Sequence, residues 1–130
     1  MIVDSSAVLA ILLAEPEAQR ISDAIGADAV PRLPASCFVE ISITLLARYR
    51  SKGLWELDLL IAKAQMEIVA FTESQAKLAR SAFERYGKGR HPAQLNFGDC
   101  MAYAVAKETG EELLFKGTDF GLTDVAVASY

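Results

Sequence analysis

Two cysteines, one histidine and one tryptophan in 130 residues exclude several common chemistries. Cys37 and Cys100 lie far apart, each in an apolar helix-like run, so their spacing fits no zinc site, redox Cys-x-x-Cys pair or disulfide framework. Both are expected as buried free thiols in a reducing cytosol. His91 is the sole histidine, so a Ser-His-Asp triad would have to draw it from a basic loop. There is no Walker loop, no Rossmann glycine pattern and no Gly-x-Ser-x-Gly elbow. No apolar run is long enough to span a bilayer, and the stretch from Met1 to Ala14 has no basic start and carries Asp4 where an export signal would be apolar. A cytoplasmic, unanchored protein is the expectation. Positive charge is also short, with 13 Lys and Arg against 17 Asp and Glu, a net charge of −4. That argues against gripping nucleic acid by overall field, though not against a local basic surface. With no repeat, linker or low-complexity stretch, residues 1–130 read as one domain, and 52% hydrophobic residues supply its core.

What is present alternates between short apolar runs and helical patterns. Met1 to Val3 reads as a buried strand feeding a helix through Ala7 to Ala14, with Ser5 or Ser6 as cap. Pro16 opens a second helix carrying Ala18, Ile21, Ala24 and Ile25 on one face. Ala29 to Leu33 is a short strand or extended link. Ala35 to Arg50 is a long helix, apolar around most of its circumference and therefore expected to be buried on more than one side. Ser36, Glu40 and Thr44 form one polar line along it. Gly53 separates it from an amphipathic segment, Leu54 to Ala64. Met66 to Phe71 reads as a strand, and Thr72 with Gln75 as a capping box for a helix whose inward stripe is Ala76, Ala79, Phe83 and Tyr86. A basic loop, Gly87 to Pro92, leads to the helix containing Asp99. Leu113 to Phe115 and Val125 to Ala128 complete the strands. This alternation predicts an α/β sandwich around a mostly parallel sheet.

Three acids, Asp4, Glu40 and Asp99, stand in apolar company where unpaired charge is costly. Asp99 alone would pass for a helix N-cap. Together the three suit a hard cation, because carboxylates without thiolate or histidine support select Mg²⁺ or Mn²⁺. Asp4 and Asp119 follow predicted strands, the edge at which such sheets collect ligands. A metal so held, with open water positions, fits phosphodiester hydrolysis. Arg80, Arg85, Lys88, Arg90 and His91 cluster near one helix end, and Arg48, Arg50 and Lys52 form a second group; in an acidic chain this clustering favours RNA contact.

Met1-Ile2-Val3-Asp4-Ser5-Ser6-Ala7, the Glu40 helix, Leu95-Asn96-Phe97-Gly98-Asp99-Cys100 and Leu114-Phe115-Lys116-Gly117-Thr118-Asp119-Phe120 resemble a PIN-domain ribonuclease of the VapC toxin branch. The resemblance spans essentially the whole chain. It implies a PIN-like three-layer sandwich, Mg²⁺-dependent endonucleolytic cleavage of RNA, inhibition by a VapB-type antitoxin, and a homodimer that can enter a larger complex. By position, Asp4, Glu40 and Asp99 match the acidic core and Ser6 its supporting hydroxyl, with Asn96 and Thr118 flanking. Many relatives carry a fourth acid where this chain has Gly117. Asp119 is the nearest substitute and Asp124 lies behind it. Two other readings compete. A non-catalytic PIN-fold binding module would bind no Mg²⁺. A phosphotransfer enzyme of the haloacid-dehalogenase or receiver type would phosphorylate Asp4, but Ser6 stands where its second acid belongs.

Overall fold

The computed structural model describes residues 1–130. Four strands, β1 (Ile2–Val3), β2 (Arg32–Pro34), β3 (Glu67–Val69) and β4 (Leu113–Leu114), form one all-parallel sheet in the order β3-β2-β1-β4. Six helices surround it: α1 (Ser5–Leu12), α2 (Ala18–Ala27), α3 (Ala35–Tyr49), α4 (Ser51–Lys63), α5 (Glu73–Tyr86) and α6 (Phe97–Thr109). Ile2, Val3, Leu33, Leu113 and Leu114 have no exposed surface. A parallel sheet covered on both faces demands such continuous apolar strands.

The chain runs outward from β1 to β2 and β3, then returns to place β4 on the other side of β1. The strand order therefore reverses between β1 and β4, and a crevice opens beyond their carboxyl ends. Asp4 follows β1 and the Lys116–Asp119 turn follows β4, so the topology itself delivers both to that crevice. Asp4 N–H donates to Leu114 O at 2.9 Å, which locks the two strand ends together. Helix α6 packs against β1, β2 and β4. Its buried residues include Ala102, Ala104 and Ala106, whose small side chains let it lie close on the sheet and hold its N-terminus at the same end.

Several local readings need correction. Asp4 itself caps α1 by accepting from Ser6 N–H, so neither serine is the cap. The break after α3 falls at Arg50, whose φ is 55°, while Gly53 lies inside α4. A Cβ at Gly53 would sit 2.9 Å from Leu45 Cβ, so glycine there permits α4 to press on α3. Val125 to Ala128 forms no strand; a single parallel bridge joins Val127 to Leu113. The buried face of α5 is Gln75, Ala79, Ala82 and Tyr86, with Ala76 and Phe83 left exposed. Helix α3 buries one face only, Cys37, Ile41 and Leu45, and leaves Val39, Ile43 and Leu46 in solvent.

Candidate active site

Asp4 is the most confined of the acids, with 3% of its surface exposed. One carboxylate oxygen accepts from Ser6 N–H at 2.9 Å and from Ser6 Oγ at 2.6 Å. Ser6 Oγ in turn accepts from Lys116 N–H at 3.0 Å, so the residue after β4 braces the acid after β1. Burial pushes the Asp4 carboxyl up to about 6 against the pull of these hydrogen bonds, and the charges of Asp99 and Glu40 push the same way.

Glu40 arrives from α3, half-buried, and accepts a hydrogen bond from Ser5 Oγ at 2.6 Å. Ser36, Glu40 and Thr44 line one groove together, as their spacing predicts, and the groove of about 460 Å³ is closed on the far side by Phe97, Gly98 and Met101. Asp99 is the third residue of α6, not its cap. Asn96 is the cap, and the two are reciprocal: Asn96 N–H donates to Asp99 Oδ2 at 2.8 Å and Asp99 N–H donates to Asn96 Oδ1 at 2.9 Å. The capping box engages only one carboxylate oxygen, because Asp99 Oδ1 takes no part in it. Burial raises the Asp99 carboxyl, and the charges of Glu40 and Asp119 raise it further.

Asp119 is exposed at the start of a 3-10 turn, Asp119–Leu122, and its field reaches Asp99. Thr118 precedes it, exposed, with its side chain making no cap. Asp124 is engaged elsewhere: it accepts from Tyr103 Oη at 2.5 Å and pairs with Lys107 at 3.3 Å and Arg85 at 3.6 Å. The Tyr103 hydrogen bond, with Lys107 behind it, holds its carboxyl below the ordinary range. Asp124 therefore ties the C-terminal segment to α6, with its side chain engaged by Tyr103 and Lys107.

The acids share an electrostatic neighbourhood without forming a tight ligand cage. No three acidic, histidine or cysteine side chains converge closely enough to hold one ion among them. Each is pinned by its own neighbour: Asp4 by Ser6, Glu40 by Ser5, Asp99 by Asn96. The groups that shift Asp4 and Asp99 include other acids but no base. An all-carboxylate set of this openness fits a small hard cation held through one or two side chains and its own waters, the usual state of Mg²⁺.

The basic loop is partly structural. Arg85 leans over the Tyr86 ring, Arg90 lies 5.9 Å from the Phe83 centroid, and His91 Nδ1 accepts the Ala93 N–H at 3.1 Å while its ring meets Tyr86 edge-on. Lys88 is exposed and unpaired. The loop joins α5 to α6 and runs into the α6 cap, Asn96. Ser5 and Gly98 were not among the expected site residues. The adjacent hydroxyls in Asp4-Ser5-Ser6 were the legible hint, whereas nothing in the sequence links Gly98 to Glu40.

Comparison with known proteins identifies the family. A PIN domain family model matches residues 1–126. The chain is 46% identical over 126 residues to a ribonuclease VapC of Mycolicibacterium smegmatis, covering 97% of this chain and 98% of that one. Its fold is similar to Mycobacterium tuberculosis VapC20, a toxin that cleaves the sarcin-ricin loop, with a TM-score of 0.78 at 13% identity over 98% of this chain and 97% of that one. It is also similar to VapBC2 of Rickettsia felis, solved on a promoter DNA fragment, with a TM-score of 0.74 at 13% identity over 98% and 96% of the two chains. The chain belongs to the PIN-domain family and, within it, to the VapC ribonucleases.

Proposed function

We propose that this protein is a Mg²⁺-dependent endoribonuclease toxin that cuts RNA by hydrolysis and is neutralised by a VapB-type antitoxin. The observation that carries the metal-dependent reading is the company of Asp4: a carboxylate buried to 3% exposure, beside Glu40 and Asp99, with no base to balance it. Asp4 and Asp99 would hold the ion, directly or through water, and exposed Asp119 would reach it only through the ion's own waters. Mn²⁺ meets the same oxygen donors. The bound ion supplies positive charge for the scissile phosphate and acidifies water. Glu40 would orient the attacking water and take its proton, so that water and not the ribose 2′-OH would displace the 3′-oxygen, the P–O3′ bond breaking and the leaving oxygen taking a proton from solvent. The products then carry a 5′-phosphate and a 3′-hydroxyl.

Lys88 and Arg90 would meet the RNA backbone, with Arg85 and His91 against Tyr86 bracing their loop. The antitoxin partner is supported by the VapBC assembly among the structural neighbours. An antitoxin Arg would suit the acidic site, since a guanidinium can replace the cation there. A homodimer is consistent with the unusual apolar exposure of α3 and α6, where Ile43 is 62% and Phe97 81% exposed. The test is direct. Purified protein free of antitoxin should release new 5′-phosphate ends from RNA with Mg²⁺ and none with EDTA. Equal cleavage by Asp99→Asn would remove the mechanism, and calorimetry without Mg²⁺ or Mn²⁺ binding would leave a non-catalytic module.

A further inference from the structure

Gly98 presents an anomaly that helix chemistry does not explain. It is the second residue of α6, it is buried, and its φ lies outside the left-handed region, so the backbone makes no demand for glycine. Alanine is the better helix former at such a position. What glycine provides is room. A Cβ built there would lie 2.6 Å from Glu40 Oε2, 2.7 Å from Oε1 and 2.9 Å from Cδ, all three nearest atoms belonging to that one side chain. The carboxylate of Glu40 thus rests against a bare Cα in the first turn of α6, where the helix dipole favours negative charge.

The oxygen nearest that bare Cα, Glu40 Oε2, is also the one held by Ser5. That residue is 5% exposed, and its hydroxyl reaches Glu40 Oε2 at 2.6 Å across 35 positions of sequence. Ser6, its neighbour, serves Asp4 instead. Consecutive residues at the start of a helix point in different directions, so the two hydroxyls are divided between two acids from two elements.

We propose that Ser5 and Gly98 are positioning residues that together fix the carboxylate of Glu40, one by donating a hydrogen bond and the other by having no side chain. The inference rests on Glu40 acting in the nuclease site, and it deepens that reading by naming what aims it. Gly98→Ala displaces the far end of a flexible side chain and leaves the backbone in place, so the variant folds and the acid moves.

The experiment compares Gly98→Ala, Ser5→Ala, Ser5→Thr and Glu40→Gln, alone and with each of the first two combined with Glu40→Gln. Single-turnover cleavage of an RNA oligonucleotide with Mg²⁺ gives rate and KM, thermal unfolding gives the fold, and the ¹³C resonance of the Glu40 carboxyl is read in metal-free protein. Gly98→Ala and Ser5→Ala should each slow cleavage tenfold or more with KM within twofold, an unchanged or higher Tm for Gly98→Ala, and a displaced Glu40 resonance. Ser5→Thr should restore most of the rate. In the Glu40→Gln background both should change the rate less than twofold. Wild-type rates in the single variants, full losses added on top of Glu40→Gln, or an unmoved Glu40 resonance overturn the proposal. If the wild type cleaves no RNA, the nuclease reading fails by itself, and the Glu40 resonance still decides whether these two residues hold it.

Discussion

Asp4 concentrates the cost of the site at one residue. Its carboxyl titrates near 6 when folded and near 3.8 when the chain is free, because burial outweighs the hydrogen bonds from Ser6. A carboxyl raised on folding is protonated longer in the native state, so its stabilising contribution is complete below the unfolded value and disappears as pH climbs through the folded one. The metal-free protein should therefore weaken by about 1.4 kcal/mol between pH 5 and pH 7.5 from Asp4 alone. Asp99, also raised, adds in the same direction. Asp28, Glu111 and Asp124 are lowered and so lie outside this window. Urea unfolding in EDTA at the two pH values checks this. Asp4→Asn should flatten the slope, and Mg²⁺ should restore the wild type at the higher pH by binding the native state. A slope of opposite sign would mean that Asp4 is not the buried acid described.

Helix α3 shows where sequence reading succeeds and where it stops. Its length and its Ser36-Glu40-Thr44 line were legible because helical periodicity fixes which residues share a face. Which apolar face is covered was not, because an all-round apolar helix carries no label saying whether its second face meets this chain or another. In the isolated protein Ile41 is fully buried while Ile43 is 62% exposed. Ile41→Ala should cost about 2–5 kcal/mol in denaturant unfolding of the isolated chain. Ile43→Ala should cost less than about 0.5 kcal/mol. Similar losses at both positions would place a covering partner on α3 even in the purified protein. The same limit applied to α5, where Ala76 and Phe83 turn outward and border an apolar cavity with Phe97, while Gln75, polar by sequence, is buried and donates to Glu108 at 2.6 Å. Capping chemistry is local and read correctly at Thr72. The choice of inward face depends on neighbours that sequence does not name.

At the scale of the whole molecule, the fold class followed from alternating strands and helices, and the acids could be named one by one. The strand order could not, because nothing local states that β4 returns to the far side of β1. That return bears on which acid, Asp119 or Asp124, would serve as the fourth. It brings the turn after β4 to the crevice, with Lys116 N–H bonded to Ser6 Oγ, and Asp119 follows at the rim, close enough to act on Asp99. The chain then runs on alongside α6, where Asp124 meets Tyr103 and Lys107. If Asp119 serves the proposed site and Asp124 the packing of the C-terminal segment, opposite phenotypes follow from two acids five residues apart. Asp119→Ala should reduce RNA cleavage at limiting Mg²⁺ by tenfold or more with no measurable change in Tm, because the residue is exposed and makes no ion pair. Asp124→Ala should cost about 1 kcal/mol of stability, since a single partly exposed hydrogen-bonded acid contributes little more. It should leave cleavage per folded molecule within twofold. Cleavage at a series of Mg²⁺ concentrations beside a thermal melt of both variants separates the two roles, and an exchange of phenotypes would mean that Asp124, not Asp119, serves the acidic crevice.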